Sequence, residues 1–437
     1  MNRARAVLVS LTLLAGACTA EPGGGGVNIE PTGATSSPTT TSTSTTTTTT
    51  PPTTTTTIPT YQLTGRVVRP NGTPVARATV AMGEITTTTD HMGSFTLVTS
   101  KPDTMRVSKL GWAGAEIPWD ETVRHFEATI VPGTVRGLRI SPEAAASDEA
   151  FDDLIALADQ TAVNAFVFDT KLEGGIVPYE SQLPEAQAIG AVDVIYDPAA
   201  RVAETHEHGI YAITRVVVFE DGRRSAAYPD ERLVGGWLDP RSPAGRAYVI
   251  ALAVESCDLG FDEIQFDYVR YPAGRAAESS GQLSLTQEER VTAIADFLAE
   301  ARAALHPMGC AVGADIFGIV TSTDDDQGLG QRPEELSAHV DSLSPMVYPS
   351  HYSNGWLGFE DPNSRPYEVT ADAISDAVPR MAEGSVLRPW LQAFWWSNDQ
   401  IRQAIRAAED LGVGWMLWNI GSNYDAAALP TDEEVNR

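Results

Sequence analysis

The sequence predicts a (β/α)8 TIM barrel over residues 133–437, preceded by a small all-β sandwich at 61–132 and a disordered Thr-rich linker. Three observations carry this expectation. Eight short apolar segments alternate with helical stretches over about 300 residues, the size and order of such a barrel. A shorter stretch before them alternates apolar and polar residues between turn-forming clusters. The stretch before that holds almost nothing apolar to bury. A doubly wound sheet is the rival architecture for the same alternation.

At the N-terminus, Arg3 and Arg5 precede an apolar run from Ala6 to Ala15 that is too short to cross a bilayer, and small residues around Cys18 end it. Residues 1–17 therefore read as an export signal. Leu14-Ala15-Gly16-Ala17-Cys18 resembles a bacterial lipoprotein signal, which implies that Cys18 is lipidated and tethers the chain to the extracellular side of the cell membrane. That motif prefers Leu where Ala15 stands, and plain secretion is the alternative. Residues 18–60 are mostly Gly, Pro, Ser and above all Thr, with an unbroken Thr45 to Thr50, and are expected to form a disordered stalk that is either O-glycosylated or a bare tether.

From Tyr61 to Pro132, Leu63, Val67 and Val75 to Val80 alternate with polar residues, and Pro70-Asn71-Gly72 and Asp90-His91-Met92-Gly93 mark turns. Short strands of this kind build a β-sandwich. Gly65-Arg-Val-Val, Gly72-Thr-Pro-Val, Ala78-Thr-Val and Thr-Thr-Asp90-x-x-Gly93-Ser-Phe95 resemble the carboxypeptidase regulatory-like domain. The resemblance implies a spacer or interaction module without an active site.

After Pro132 the strands read as Gly137–Ser141, Ala165–Asp169, Tyr211–Phe219, Glu263–Asp267, Ala311–Phe317, Ser344–Tyr348, Pro389–Phe394 and Gly414–Asn419. Helical periodicity marks the segments between them, among them Phe151–Gln160, Ala244–Ser256, Gln287–Leu305 and Asn398–Leu411. With 30 basic and 58 acidic residues, the formal charge of −28 disfavours nucleic acid and anionic lipid as partners and favours a neutral or weakly charged substrate. Three cysteines cannot build a disulfide scaffold. Cys257 and Cys310 fall near the bottoms of neighbouring strands, where they either pair or stay free.

In a TIM barrel the active site lies at the C-terminal ends of the strands. In Glu263-Ile264-Gln265-Phe266-Asp267, the apolar Ile264 and Phe266 face the helices, which turns Asp267 into the mouth. The same alternation turns Asp315 inward after Val312, and Asp169 inward after Phe166 and Phe168, with Lys171 beside it. Carboxylates that converge raise one another's pKa, so that one holds a proton while its neighbour is ionised. That division suits glycoside hydrolysis. Asp267 is expected as nucleophile or base, Asp315 as acid and Asp169 as a third member, the plainer alternative for Asp267 being an ion pair with Arg270. Sugar rings stack on aromatic faces, and Tyr348, His351, Tyr352, Trp395 and Trp418 with Asn419 follow the last three strands.

Gly260-Phe-Asp-Glu-Ile-Gln-Phe-Asp267-Tyr-Val-Arg270-Tyr-Pro272 resembles the signature segment of a bacterial glycoside-hydrolase-like domain family of unassigned specificity. The likeness continues in Asp169-Thr-Lys171, Trp237-Leu-Asp239-Pro240, Ser344-Pro-Met-Val-Tyr348-Pro-Ser-His351-Tyr352 and Pro366-Tyr367, and covers Thr134 to Asn423. It implies a glycosidase-like TIM barrel. The family reads Asp-x-Lys-Asp near the second strand, whereas Leu172 follows Lys171 here. His206 with His208 lacks the companions of a zinc site, and Asp324-Asp325-Asp326 lacks the spacing of a calcium loop. No metal or cofactor is expected. The function expected is an exported glycoside hydrolase or transglycosidase; the alternatives are a silent carbohydrate-binding or cell-envelope scaffold barrel, and a hydrolase that uses the aspartates for a metal.

Overall fold

The computed structural model describes residues 60–436; the leader, Cys18 and the Thr-rich stretch lie outside them. Two sheets face each other first. One orders Ser94–Thr99, Tyr61–Val68 and His125–Thr129, and the other orders Ile85–Thr88, Thr79–Met82, Met105–Ser108 and Ala115–Ile117. Alternation along Ser94–Thr99 buries Phe95 and Leu97 and exposes their neighbours, so the two sheets close over Leu63, Val67, Val80 and Val107.

The barrel follows. Its strands are β1 (Arg136–Arg139), β2 (Ala165–Lys171), β3 (Tyr211–Val217), β4 (Glu263–Asp267), β5 (Ala311–Phe317), β6 (Ser342–Val347), β7 (Trp390–Gln392) and β8 (Trp415–Trp418). All pair in parallel in chain order, β8 with β1, and the ring is closed. The helices that cover them include α1 (Asp148–Asp159), α2 (Pro198–Glu207), α3 (Pro243–Asp258), α4 (Gln287–Leu305), α5 (Pro366–Ala377) and α6 (Asn398–Asp410). Parallel strands are buried on both faces, which is why they read as nearly continuous apolar runs. Two apolar layers result. Phe166, Phe168, Ile264, Phe266 and Val312 pack outward against the helices, the Phe266 ring 5.1 Å from Phe297 of α4. Val167, Ile213, Trp390 and Met416 fill the interior. No described helix is long and apolar enough to cross a membrane.

The sandwich covers the N-terminal end of the barrel. Arg69 donates to Asp341 at 2.9 Å, and His306 meets the other Asp341 oxygen at 2.8 Å. Lys109 donates to the Gly309 carbonyl at 3.0 Å. Gly111 sits at φ +71° against Tyr211, whose ring would lie 2.5 Å from any added Cβ, so a larger side chain there would wedge the sandwich off β3. Cys257 and Cys310 are disulfide-bonded at the same end, their Cα atoms 6.1 Å apart.

Candidate active site

At the opposite end a network centred on Arg215 gathers the strand-end carboxylates. Ile213, Arg215 and Val217 share one parity of β3, and Ile213 belongs to the interior, so the arginine also points inward. Its guanidinium donates to Asp267 Oδ2 at 2.8 Å, to Asp169 Oδ1 at 2.9 Å and to Glu173 at 2.5 Å. Arg139, inward on β1, donates twice to Asp169 Oδ2, at 2.6 and 3.1 Å. The Trp418 ring lies under both cations, with guanidinium carbons 4.7 and 4.9 Å from its centroid.

Asp267 is held at both oxygens. The second accepts from the Tyr268 backbone N–H at 2.6 Å, and Tyr268 takes φ +51°. A non-glycine residue there costs on the order of 1–2 kcal/mol, a cost tolerated where the surroundings fix the conformation. Asp315 is buried and held on one side only. Its Oδ1 accepts from Gln265 at 2.5 Å and from Trp390 at 2.9 Å, while Oδ2 is buried without a partner. Burial, and then the charge of Asp267, pushes the Asp315 carboxyl well above the usual carboxylate range. The protonated form of Asp315 is thereby favoured, beside an Asp267 that accepts from donors at both oxygens.

Asp169 is 0 % exposed and fully occupied by the two arginines. Lys171 does not join it. A register shift between Asp169 and Lys171 breaks the two-residue period, and the ammonium turns to Asp221 at 2.9 Å and to the Val217 carbonyl at 2.7 Å, with no exposed surface. Arg270 does not pair with Asp267 either. It is caged by Phe317, Trp237 and Tyr268, its guanidinium carbon 4.4, 4.8 and 4.9 Å from their centroids.

The aromatic residues divide. The Tyr348 phenol is pushed up by burial and then by the charges of Asp267 and Asp315, which puts it on the carboxylate side of the mouth. His351 and Phe394 pack edgewise on its ring at 5.4 Å each. Tyr352 faces away: its hydroxyl is buried without a partner against the Gly318 backbone, and its ring meets Trp356 at 5.2 Å. Trp395 stands 83 % exposed. Asn419 spends its amide on the turn, donating to the Ala393 carbonyl and accepting from the Gly421 and Asn423 N–H groups. Glu220, expected by no motif, accepts from the Gly174 N–H beside Glu173, and burial raises its pKa.

Arg139, Arg215 and Glu173 are members of the network that the strand-end motifs did not announce. For the two arginines the signal was present, since Arg139 on β1 and Arg215 on β3 both stand at the inward parity. Among the described residues no group of three or more His, Cys, Asp and Glu side chains is placed to hold a metal. His206 instead meets Asp262 at 2.8 Å, and Asp326 receives Arg290 at 2.7 Å.

The family model described as "Putative glycosyl hydrolase domain" matches residues 137–424, the whole barrel with its mouth. A hypothetical protein from Ruminiclostridium thermocellum is 32% identical over 41% of this chain and 96% of its own, with a TM-score of 0.36. The PgaB (BpsB) glycoside hydrolase domain from Bordetella bronchiseptica is 13% identical over 68% of this chain and 97% of its own, with a TM-score of 0.51, a likeness of fold. No curated protein matches the sequence.

Proposed function

Since the chain belongs to that glycosyl hydrolase domain family, we propose that the barrel mouth cleaves or transfers glycosidic bonds of an extracellular oligo- or polysaccharide, with Asp267 and Asp315 as the working pair. The observation that carries the reading is the unequal surroundings of two carboxyl groups at the mouth, Asp267 with donors at both oxygens and Asp315 buried with one oxygen bare. Arg215 and the Tyr268 N–H orient Asp267 for the role of base or nucleophile. Burial and the charge of Asp267 raise the pKa of Asp315, and one of its oxygens has no partner. A carboxylate to act on the anomeric carbon or on water, and an acid to protonate the leaving oxygen, are what glycoside hydrolysis needs. Arg139, Arg215 and Asp169 act as positioning residues, because their charges are spent on one another and on Asp267. Export and lipid anchoring through Cys18 belong to the same proposal, and replacing Cys18 by Ala should release the chain into the medium.

A second reading has one observation in its favour. Arg215 neutralises three carboxylates at once, as a silent binding barrel would tolerate. Purified protein incubated with cell-wall and storage glycans separates the two. Sugar release by wild type and its loss in Asp267→Asn is the expected result. Binding without release on every glycan would favour the silent barrel, and release that survives Asp267→Asn would remove that residue from its role.

A further inference from the structure

We propose that a groove beside the mouth binds a further stretch of the same glycan chain, of a kind that carries no negative charge, with Trp395 as its stacking platform. This rests on the hydrolase reading for the identity of the ligand as a glycan. The groove encloses about 750 Å³ between α1 and the segments that follow β7 and β8. Pockets of roughly 300–1,000 Å³ take ligands of oligosaccharide size. It adjoins the mouth through Phe394, which lines it and also packs on Tyr348 and His351.

Trp395 is the first sign of a ligand. Its ring stands 83 % exposed at the rim of the cavity it helps to line. The Trp395 indole N–H makes no hydrogen bond among the described residues, where its aromatic contact is with Phe394, edge-on at 5.1 Å. Neither packing nor polar contact accounts for the residue.

Backbone strain is the second sign, independent of exposure. Trp395 takes φ +59° and Ser422, also in the lining, takes φ +55°. L-residues avoid this region, and such outliers gather at ligand clamps. The turn that strains Trp395 also lifts its ring clear of the core.

The lining then restricts the chemistry. Gln160 and Asn423 present side-chain amides that make no hydrogen bond among the described residues, and sugar hydroxyls are suitable partners for both. Asp153 and Asp425 supply the only charges, and no Lys, Arg or His lines the groove. The Ala427 N–H and the Asn398 amide hold the Asp425 carboxyl below the usual range, so its charge persists. A polyuronate would enter against two fixed negative charges. An uncharged chain meets no such penalty.

Affinity electrophoresis of the Asp267→Asn protein, which leaves the gel polymer uncut, tests this with hydroxyethyl cellulose, laminarin, glycol chitin and polygalacturonate cast into native gels. At least one of the three uncharged polymers should retard the protein, and Trp395→Ala in that background should weaken the retardation about 5- to 10-fold, the range of one lost aromatic contact. Polygalacturonate should leave mobility unchanged. Retardation by polygalacturonate, by none of the uncharged polymers, or equally with and without Trp395 would overturn the proposal. The two readings fail separately: a wild type that releases no sugar but is retarded through Trp395 loses only the hydrolase, and one that releases sugar with no contribution from Trp395 loses only the groove.

Discussion

At the bottom of the barrel Glu263 accepts from Arg388, from Ser342 at 2.8 Å and from Tyr211 at 3.1 Å, and the sandwich seals that end. At the mouth Arg215 divides itself among Asp169, Glu173 and Asp267, while Asp315 keeps a buried oxygen without a donor. Both ends bury charge. The lower network closes on itself, and Gly313 leaves it room, since an added Cβ would lie 2.6 Å from Glu263. The upper one ends at an open surface, where Glu173 is 43% exposed and Tyr268, Trp395 and Ser422 hold positive φ. Closed networks serve stability, and unfinished ones accompanied by strain mark the place where a ligand completes them. Among the described residues, Arg77, at φ +56° under the disulfide, is the one non-glycine residue at positive φ on the sealed side.

Exchanging damage between the two ends should break or sharpen this contrast most strongly. Asp267→Asn should lower kcat by about 10²- to 10⁴-fold, the usual weight of a catalytic proton-transfer group. Its stability should change little, because Arg215 keeps Asp169 and Glu173 as partners. Glu263→Gln leaves Arg388 as a buried charge without a counter-charge and should cost about 3–5 kcal/mol, read from the denaturant midpoint. Activity per folded molecule should be unaffected. A Glu263→Gln protein that is stable but inactive would show that the bottom is not merely structural.

The two ends should also respond to pH with opposite sign. Lys109 donates to the Ala76 and Gly309 carbonyls, and burial lowers its pKa to about 8. In the unfolded chain a lysine titrates near 10.4. From about pH 8 to pH 10.4 the unfolded state therefore binds the extra proton, and stability rises with pH by on the order of 3 kcal/mol in that window. Lys109→Met should flatten it. Asp315 is shifted upward, so its contribution is complete below about pH 3.9 and is lost as pH rises through its folded pKa. Melting temperatures of wild type and Asp315→Asn should converge in acid and diverge above it, the wild type falling faster.

Much of this was legible in the residues. Strand alternation alone turned Asp267 and Asp315 inward, because parallel strands in a closed barrel leave one parity for the helices and one for the interior. It failed at Lys171, where the register shift after Asp169 adds a residue that no periodicity announces. Arg139 and Arg215 share that inward parity, but a cation in such a strand takes its meaning only from the carboxylates that the fold brings to it. Tyr352 follows β6 as Tyr348 does, yet the short helical turn Pro349–His351 rotates it away from the mouth, a consequence of tertiary packing that the sequence does not display. The strain at Trp395 is likewise invisible before the backbone is known.

That strain gives the smallest effect and the one whose sign matters most. If Trp395 were a packing residue, truncation would cost about 3–5 kcal/mol, as for buried aromatics generally. As an exposed platform at φ +59° it should behave otherwise. Trp395→Gly removes a conformational penalty of about 1–2 kcal/mol and adds about 0.5–1 kcal/mol of unfolded-state entropy, leaving a net gain of up to about 1.5 kcal/mol. Trp395→Ala keeps the penalty and should stay near wild type. Chemical denaturation of the three proteins resolves that order, Gly above Ala and wild type. The reverse order, with glycine the least stable, would return Trp395 to the core and leave the mouth no different in kind from the sealed end.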